Sequence, residues 1–189
     1  RFVLIDGCND TTGAPVLAAL ERNGVGVDAL DAVLLTHAHP DHTGFLQGHR
    51  DLPVIALADE VPQLDGTGAF RGPLLLLMGA PPDLGLTGLR GVRDGEQLTF
   101  GDASVQVYAA PGHTRGSAVY LVDGVLILGD SAAWKPPKLV GAPWIFSDDC
   151  DENVASMRAL AERLKGQTVD WLAPAHSGAV AGLDALAAL

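Results

Sequence analysis

Three histidines and one aspartate lie within six residues, in the run His-Ala-His-Pro-Asp-His at 37–42. Imidazole nitrogens and carboxylate oxygens are common protein ligands of divalent metal ions. A solvated surface turn would instead favour Gly, Asn, Asp and Ser. The run therefore predicts a metal-binding loop.

The spacing within this run indicates that one loop could serve two metal ions. The apolar stretch 32–35 comes just before it and predicts a buried strand. His37 and His39 are two residues apart, so in extended backbone their side chains point to the same side. The proline that follows predicts a turn, after which Asp41 and His42 can face a second point in space.

Three further candidate ligands lie just past later predicted strands, each close to a glycine: His113, Asp130 and His176. A single histidine in such a position is more often structural. However, five of the six histidines in the chain follow a predicted strand, which a chance scatter would not produce. With the first loop, these residues make a set of seven candidate ligands: His37, His39, Asp41, His42, His113, Asp130 and His176.

Apolar periodicity and turn residues predict alternating strands and helices. Strands are predicted over 1–6, 32–36, 53–57, 96–100, 104–108, 117–122, 125–128 and 169–173. Helices are predicted from Thr11 or Thr12 to Gly24, from about 41–43, over 151–165 with Asp151 as its cap, and over 183–189. This alternation predicts an α/β fold of sheets covered by helices, in a single domain over 1–189. Residues 59–92 are irregular, and they form either a lid or substrate wall or a packed surface excursion.

The composition limits the function classes. The chain has 189 residues, 48% of them hydrophobic, and a formal net charge of -11. This charge argues against nucleic acid, which requires basic patches, and weakly against an anionic membrane surface. The apolar runs are too short to span a bilayer. We expect Cys8 and Cys150 to be free buried thiols, although a disulfide between them stays open.

These motifs make the chain resemble a metallo-β-lactamase-fold metal-dependent hydrolase, of the glyoxalase II and lactonase branch. The resemblance rests on the 37–42 run, on the three later ligands, and on Asp6 at the end of an early strand. It implies a four-layer αββα sandwich with the metals in a cleft at one edge. The family has further strands before the Asp6 strand, so we expect the N-terminal strands to be missing and one half of the sandwich to be short.

The resemblance also assigns the ligands to two divalent metal ions. Metal one would be held by His37, His39 and His113, and metal two by Asp41, His42 and His176, with Asp130 as the bridge. Nitrogen and oxygen donors favour zinc but also admit iron or manganese. True β-lactamases of the family often use a cysteine ligand, whereas this chain has none at any of the seven positions.

The expected reaction is hydrolysis of a small ester, thioester or lactone by a metal-bridging hydroxide, with Asp41 and Asp130 as the catalytic carboxylates. Asp6 is the expected orienting group behind the ligands. Thr36, Thr114 and Ser131 are weaker candidates for the same role. His49 and the two tyrosines, Tyr108 and Tyr120, are expected to serve packing.

The substrate pocket is expected to have an apolar wall that includes Trp134, Trp144 and Phe146, together with the run 74–78. The expected partner is a small molecule, and the oligomeric state stays open. A cytoplasmic location is favoured, but Arg1 begins in mid-fold, so a processed or secreted form stays open. Three other functions remain: a β-lactamase, a mononuclear iron dioxygenase acting on sulfur compounds, and a metal-binding module without catalysis.

Overall fold

The computed structural model describes the backbone of residues 1–189 and every side chain except that of Met78. The strands are β1 (Phe2–Ile5), β2 (Leu30–Leu34), β3 (Pro53–Leu57), β4 (Gly88–Val92), β5 (Gln97–Phe100), β6 (Ala103–Ala109), β7 (Ala118–Val122), β8 (Val125–Gly129), β9 (Ala132–Lys135), β10 (Lys138–Gly141), β11 (Trp171–Pro174) and β12 (Val180–Ala181). The helices are α1 (Ala14–Arg22), α2 (Pro40–Thr43), α3 (Val61–Leu64), α4 (Cys150–Arg163) and α5 (Asp184–Ala187).

The strands form two main sheets and a separate hairpin. The first sheet has the order β1-β2-β3-β4, and all of its neighbours run parallel. The second has the order β12-β11-β8-β7-β6-β5 and is antiparallel except for the β11–β8 pair. Strands β9 and β10 pair with each other in antiparallel fashion.

Three apolar clusters separate four layers. Consecutive residues of β2 show the arrangement, because side chains alternate across a strand. Val33 packs in the cluster that contains Val16 of α1, whereas Leu34 packs in the cluster that contains Val107 of the second sheet. The third cluster joins the other face of the second sheet to α4, through residues such as Met157. The fold is therefore the expected αββα sandwich. Because residues 32–34 of β2 are buried on both faces, this part of the strand is a continuous apolar run.

The first sheet is the shorter half of the sandwich, as expected, with four strands against six in the second. Strand β1 lies at its edge, and β2 is its neighbour in the sheet. A groove of about 1070 Å³ runs beside this edge. Apolar side chains of β1, α1 and β8 line it, and it reaches His42 and His176 at one end.

Several predictions of local structure are wrong in detail. Gly13, in a left-handed conformation, is the N-cap of α1 in place of Thr11 or Thr12, although the Thr12 hydroxyl accepts the N–H of Ala14, the first residue of the helix, at 3.3 Å. Asp149, not Asp151, caps α4, and its carboxylate accepts the backbone N–H groups of Asp151 and Glu152. Helix α5 is shorter than the predicted 183–189.

The 59–92 segment is not wholly irregular, because its last five residues form β4 and pair in register with β3. Strands β9, β10 and β12 were not predicted. Cys8 and Cys150 are free thiols, as expected, but each is only half-buried. Within the part of the chain that the structure describes, no helix is both long and apolar enough to cross a membrane.

Candidate metal centre

Two short loops bring three imidazoles together in the interior. Strand β2 ends at Leu34, and extended backbone then carries His37 and His39 to the start of α2. His113 comes from the turn that follows β6. One ring nitrogen from each of these histidines lies within 4.8 Å of those of the other two. All three side chains are buried, so they form a closed first group.

A second group of four donors lies beside the first. It contains Asp41 and His42 from α2, Asp130 after β8, and His176 after β11, with ligand atoms within 4.8 Å of one another. The His176 Nε2 atom is 3.0 Å from Asp41 Oδ2 and 3.3 Å from Asp130 Oδ1. This group is more open, because the side chains of Asp41 and His176 are 40% and 57% exposed.

Asp130 lies between the two groups. Its Oδ1 is 3.3 Å from His42 Nε2, and its Oδ2 is 3.8 Å from His113 Nε2. One carboxylate thus faces a histidine of each group with a different oxygen. This is the position that a bridging ligand requires.

Asp6, the residue that follows β1, orients His42 of the second group. Its carboxylate accepts the Thr36 backbone N–H and the Thr36 hydroxyl, each at 2.8 Å, and lies 2.8 Å from His42 Nδ1. The imidazole of His42 therefore donates from Nδ1 to Asp6 and turns Nε2 toward the other atoms of the group. Asp6 itself has φ 58, a left-handed conformation that aspartate tolerates better than most residues.

The tautomers of two histidines in the first group follow from their partners. The Thr36 hydroxyl donates to Asp6, so at 3.1 Å it accepts from His37 Nδ1. The Ser147 hydroxyl donates to the Pro143 carbonyl, so at 3.0 Å it accepts from His113 Nδ1. Both rings therefore turn the lone pair of Nε2 toward the centre of the group. Ser147 has no motif around it, and the sequence analysis missed it.

Burial keeps the first group neutral. Burial and the neighbouring imidazoles lower the pKa of His37 well below its ordinary value. Burial also lowers the pKa of His39 to about 4 and that of His113 to about 3. Neutral imidazole is the form that binds metal ions, so no proton has to leave these rings at neutral pH.

The second group is organised by charge. Burial lowers the pKa of His42, but the carboxylates of Asp130 and Asp6 beside the ring outweigh burial and raise this pKa to about 10, so a metal ion that binds Nε2 would displace a proton. Burial raises the pKa of Asp130, but the hydrogen bond and charge of His42 outweigh it, so the pKa is lowered overall. Asp130 is therefore an ionised carboxylate.

The donor atoms fit a divalent cation. The Nε2 atoms of His37 and His113 lie 3.1 Å apart, and the tautomers above make both of them lone-pair acceptors. His39 Nε2 is buried and has no hydrogen-bond partner among the described residues, while His42 Nε2 and Asp130 Oδ1 are buried and lie 3.3 Å from each other. Facing lone pairs and unsatisfied buried acceptors are unfavourable unless a cation lies between them. The cluster can therefore hold divalent metal.

The three aromatic residues predicted to line the pocket differ in their surroundings. Trp134, on β9, packs against the apolar cluster beneath α4, so the structure does not support a place for it in the pocket wall. Trp144 and Phe146 are exposed, and they lie one to three residues before Ser147, which contacts His113. The Ile145 carbonyl accepts the Leu74 N–H at 2.9 Å, which joins this segment to the run that contains Leu77.

Phe70 also belongs to the site, although the sequence analysis did not select it. Its buried ring meets the ring of His39 edge-on, with centroids 5.8 Å apart. It is therefore a contact of the first group on the side of the 70–78 segment.

The remaining candidates lie outside the cluster. The ring of His49 stacks on Phe45 at 4.1 Å, and the Tyr120 hydroxyl donates to the Leu35 carbonyl at 2.7 Å within the core. The Tyr108 hydroxyl donates to Gln167. Ser131 is buried, and its backbone N–H donates to Leu128. The two tyrosines and His49 serve packing, as expected.

The comparisons with known proteins agree with this geometry. A family model described as the metallo-beta-lactamase superfamily matches residues 1–176. A protein of Xanthomonas axonopodis pv. citri named hydroxyacylglutathione hydrolase is 33% identical over 155 residues, which is 82% of this chain and 50% of that protein. The chain thus spans about half the length of this curated relative.

Solved structures of metallo-β-lactamases are similar over almost the whole chain. One is a B3 metallo-β-lactamase with an active-site glutamic acid, with a TM-score of 0.72 and 26% identity over 98% of this chain and 74% of that one. Another is the metallo-β-lactamase SMB-1 bound to 2-mercaptoethanesulfonate, with a TM-score of 0.66 and 29% identity over 92% of this chain and 69% of that one.

Proposed function

The chain belongs to the metallo-β-lactamase superfamily, and from this premise we propose that it is a dinuclear metal-dependent hydrolase of a small ester, thioester or lactone. The observation that carries the proposal is the position of Asp130, which faces one histidine of each donor group. The similarity to a hydroxyacylglutathione hydrolase supports the substrate class.

Seven side chains would hold the two ions. The closed group would bind the first ion through His37, His39 and His113. The open group would bind the second ion through Asp41, His42 and His176, and Asp130 would be shared by both. Two divalent ions, for which we propose zinc, supply a water of lowered pKa and a Lewis acid for the substrate carbonyl. Iron and manganese are compatible with the same nitrogen and oxygen donors.

The residues of the open group then meet the substrate. Asp41 is 40% exposed and lies 3.0 Å from His176, so its carboxylate can accept the proton that the attacking water loses. Asp130 stays ionised and keeps the two groups at a fixed separation. Asp6 holds His42 in the tautomer that leaves Nε2 as an acceptor.

The apolar part of the substrate would lie on the exposed segments beside the closed group. Trp144 and Leu77 are 68% and 83% exposed, on two segments that the hydrogen bond from the Leu74 N–H to the Ile145 carbonyl joins. Exposed apolar patches with polar rims mark binding surfaces. This position favours an uncharged acyl or lactone substituent over a charged one.

Metal analysis joined to a substrate panel tests the proposal. We expect two metal ions per chain and hydrolysis of at least one ester, thioester or lactone. In the Asp130→Ala variant we expect kcat/KM to fall by at least about 100-fold, because a lost ligand removes several kcal/mol of transition-state stabilisation. The exposed Asp102→Ala variant is the control. A protein without metal, or full activity in Asp130→Ala, would contradict the proposal.

A β-lactamase is the second candidate, because a B3 metallo-β-lactamase is similar over 98% of the chain. Hydrolysis of a lactam uses the same nucleophile and Lewis acid on an amide carbonyl. A chromogenic cephalosporin added to the panel separates the two. Turnover of that compound well above turnover of every ester, thioester and lactone would favour the β-lactamase.

A further inference from the structure

Glu60 is a fully buried acidic side chain just before α3 that the metal centre described above does not include. Its Oε1 accepts the backbone N–H of Ala38 at 2.7 Å. Its Oε2 accepts the Thr114 hydroxyl at 2.9 Å and the Gly116 N–H at 3.0 Å. One carboxylate therefore makes three hydrogen bonds, all to groups that lie in the two loops of the first donor group.

These three donors lie beside or close to the histidines of the first group in the chain. Ala38 lies between His37 and His39, and Thr114 follows His113 directly. The carboxylate thus ties the backbone that carries two of the imidazoles to the backbone that carries the third. Glu60 touches none of the metal ligands itself, so any effect on the metal ion must act through the positions of these loops.

The loop after His113 is shaped for this contact. A Cβ atom at Gly116 would lie 2.2 Å from the backbone nitrogen of Glu60, so only glycine allows the two backbones to approach so closely. The Thr114 N–H donates to the Ser117 hydroxyl at 2.9 Å, which closes the turn. The Thr114 hydroxyl is therefore held toward Glu60.

The hydrogen bonds require a carboxylate rather than any polar group of the same size. All three partners are donors, so each oxygen of Glu60 has to accept. Burial raises the pKa of Glu60 to about 7, while its three hydrogen bonds act in the opposite direction. A buried charge is unfavourable unless it is hydrogen-bonded. The three donors supply these hydrogen bonds to the Glu60 carboxylate.

We propose that Glu60 is a positioning residue for the first metal ion, because it fixes the loop of His37 and His39 against the loop of His113. The proposal rests on the proposed function in one respect, that the closed group binds a metal ion. It assigns a role to a residue outside the ligand set, and it makes Thr114 one of the donors that fix this residue.

The test measures zinc affinity at the first site alone. His176→Ala weakens the second site at an exposed ligand, and zinc binding to the folded protein is then titrated against a chromophoric chelator. Adding Glu60→Gln keeps the size of the side chain but places an amide N–H₂ against a donor. We expect the zinc affinity to fall by roughly 10- to 100-fold, the range seen when groups that orient ligands are removed. Adding the exposed Asp59→Asn instead of Glu60→Gln should leave the zinc affinity within about threefold of that of the His176→Ala protein.

The outcomes separate the two proposals. Equal zinc affinity with and without Glu60→Gln, in proteins with the same circular dichroism, would overturn the role of Glu60 alone. A residue that only stabilised the fold would lower the unfolding midpoint of the metal-free protein and leave the zinc affinity of the folded protein unchanged. Absence of zinc binding in His176→Ala itself would contradict the metal centre and the role of Glu60 together.

A second variant keeps the proposal testable if Glu60→Gln does not fold. Thr114→Val preserves shape and leaves Glu60 in place, but removes one of its three donors. We expect a weaker zinc affinity in the same background, by less than in Glu60→Gln. An unchanged zinc affinity in a folded Thr114→Val protein would overturn the proposal.

Discussion

The two halves of the metal centre differ in exposure. The three histidines of the first group are between 0% and 4% exposed, whereas the side chains of Asp41 and His176 in the second group are 40% and 57% exposed. A closed set of ligands gives a rigid site, and an open set leaves room for a reactant. In the proposed function, the first group would therefore hold its ion and the second group would meet the substrate.

The supports of the two halves differ as well. Hydroxyl groups hold the first group, through Thr36 on His37 and Ser147 on His113. A carboxylate holds the second group, through Asp6 on His42. Charge-assisted hydrogen bonds are stronger than neutral ones. We therefore expect the His42 ring to depend on a single strong contact, and the rings of the first half on weaker hydroxyl contacts, with the Glu60 carboxylate acting on the backbone of their loops.

Removal of the metal ions should give the largest effect, because it empties both halves at once. Dialysis against a strong chelator should abolish hydrolysis and lower the unfolding temperature. Ligand at about 1,000 times its Kd contributes about 4 kcal/mol, and at this chain length each kcal/mol corresponds to roughly 2–4 °C. Calorimetry with and without added zinc measures the shift. An unchanged unfolding temperature would show that the closed group does not bind metal.

The Asp6→Asn substitution should separate the two halves. It removes the charge that holds His42, so we expect the second metal ion to bind roughly 10- to 100-fold more weakly. The first ion should weaken less, because Asp6 reaches its ligand His37 only through the Thr36 hydroxyl, and elemental analysis should then give one ion per chain after mild chelation. The exposed Asp28→Asn variant is the control. Loss of both ions together would show that the halves are coupled rather than independent.

The Ser147→Ala substitution tests the first half with a smaller change. It removes the acceptor of His113 Nδ1–H, and a neutral hydrogen bond of this kind contributes about 1 kcal/mol. We expect the affinity for the first ion to fall roughly 3- to 10-fold, with the second unchanged. Ser104→Ala, at an exposed position on β6, is the matched control. A change confined to the second ion would reverse the assignment of the halves.

The Trp144→Ala substitution should have the smallest effect and should leave both metal ions in place. If the exposed indole contacts only the apolar part of the substrate, KM should rise roughly 3- to 10-fold with kcat unchanged. Trp171→Ala provides the comparison, since Trp171 is 49% exposed at the opposite end of β11 from His176. Equal KM values for Trp144→Ala and the unmodified protein would remove Trp144 from the substrate surface.

The donor atoms and the support from Asp6 could be predicted from the sequence, whereas the supports from Ser147 and Glu60 could not. Histidine and aspartate just past apolar strands carry their chemistry in the residue type, so His113 and His176 were identified without any contact information. Ser147 lies 34 residues from His113 and Glu60 lies 22 residues from Ala38. Neither is marked by a motif, because a buried polar group is defined by the partner that the fold brings to it.

Strand β4 shows the same limit at the level of secondary structure. Its five residues, Gly88–Val92, include two glycines and an arginine, a composition with low strand propensity. It is a strand because β3 offers it a parallel edge in register. Trp134 shows the converse. Its place near Asp130 in sequence suggested the pocket, but on the β9–β10 hairpin its half-buried ring packs against the apolar cluster beneath α4.

The turn that carries His113 also bears on how the chain folds. Its contacts reach across the chain, to His37 at a separation of 76 residues, to Glu60 at 54 and to Ser147 at 34. Contacts between distant segments form late, because loop-closure entropy opposes them until the intervening elements are in place. The donor set is therefore complete only after both sheets have come together. A zinc ion added during refolding should act on the last step and slow unfolding, rather than nucleate the chain.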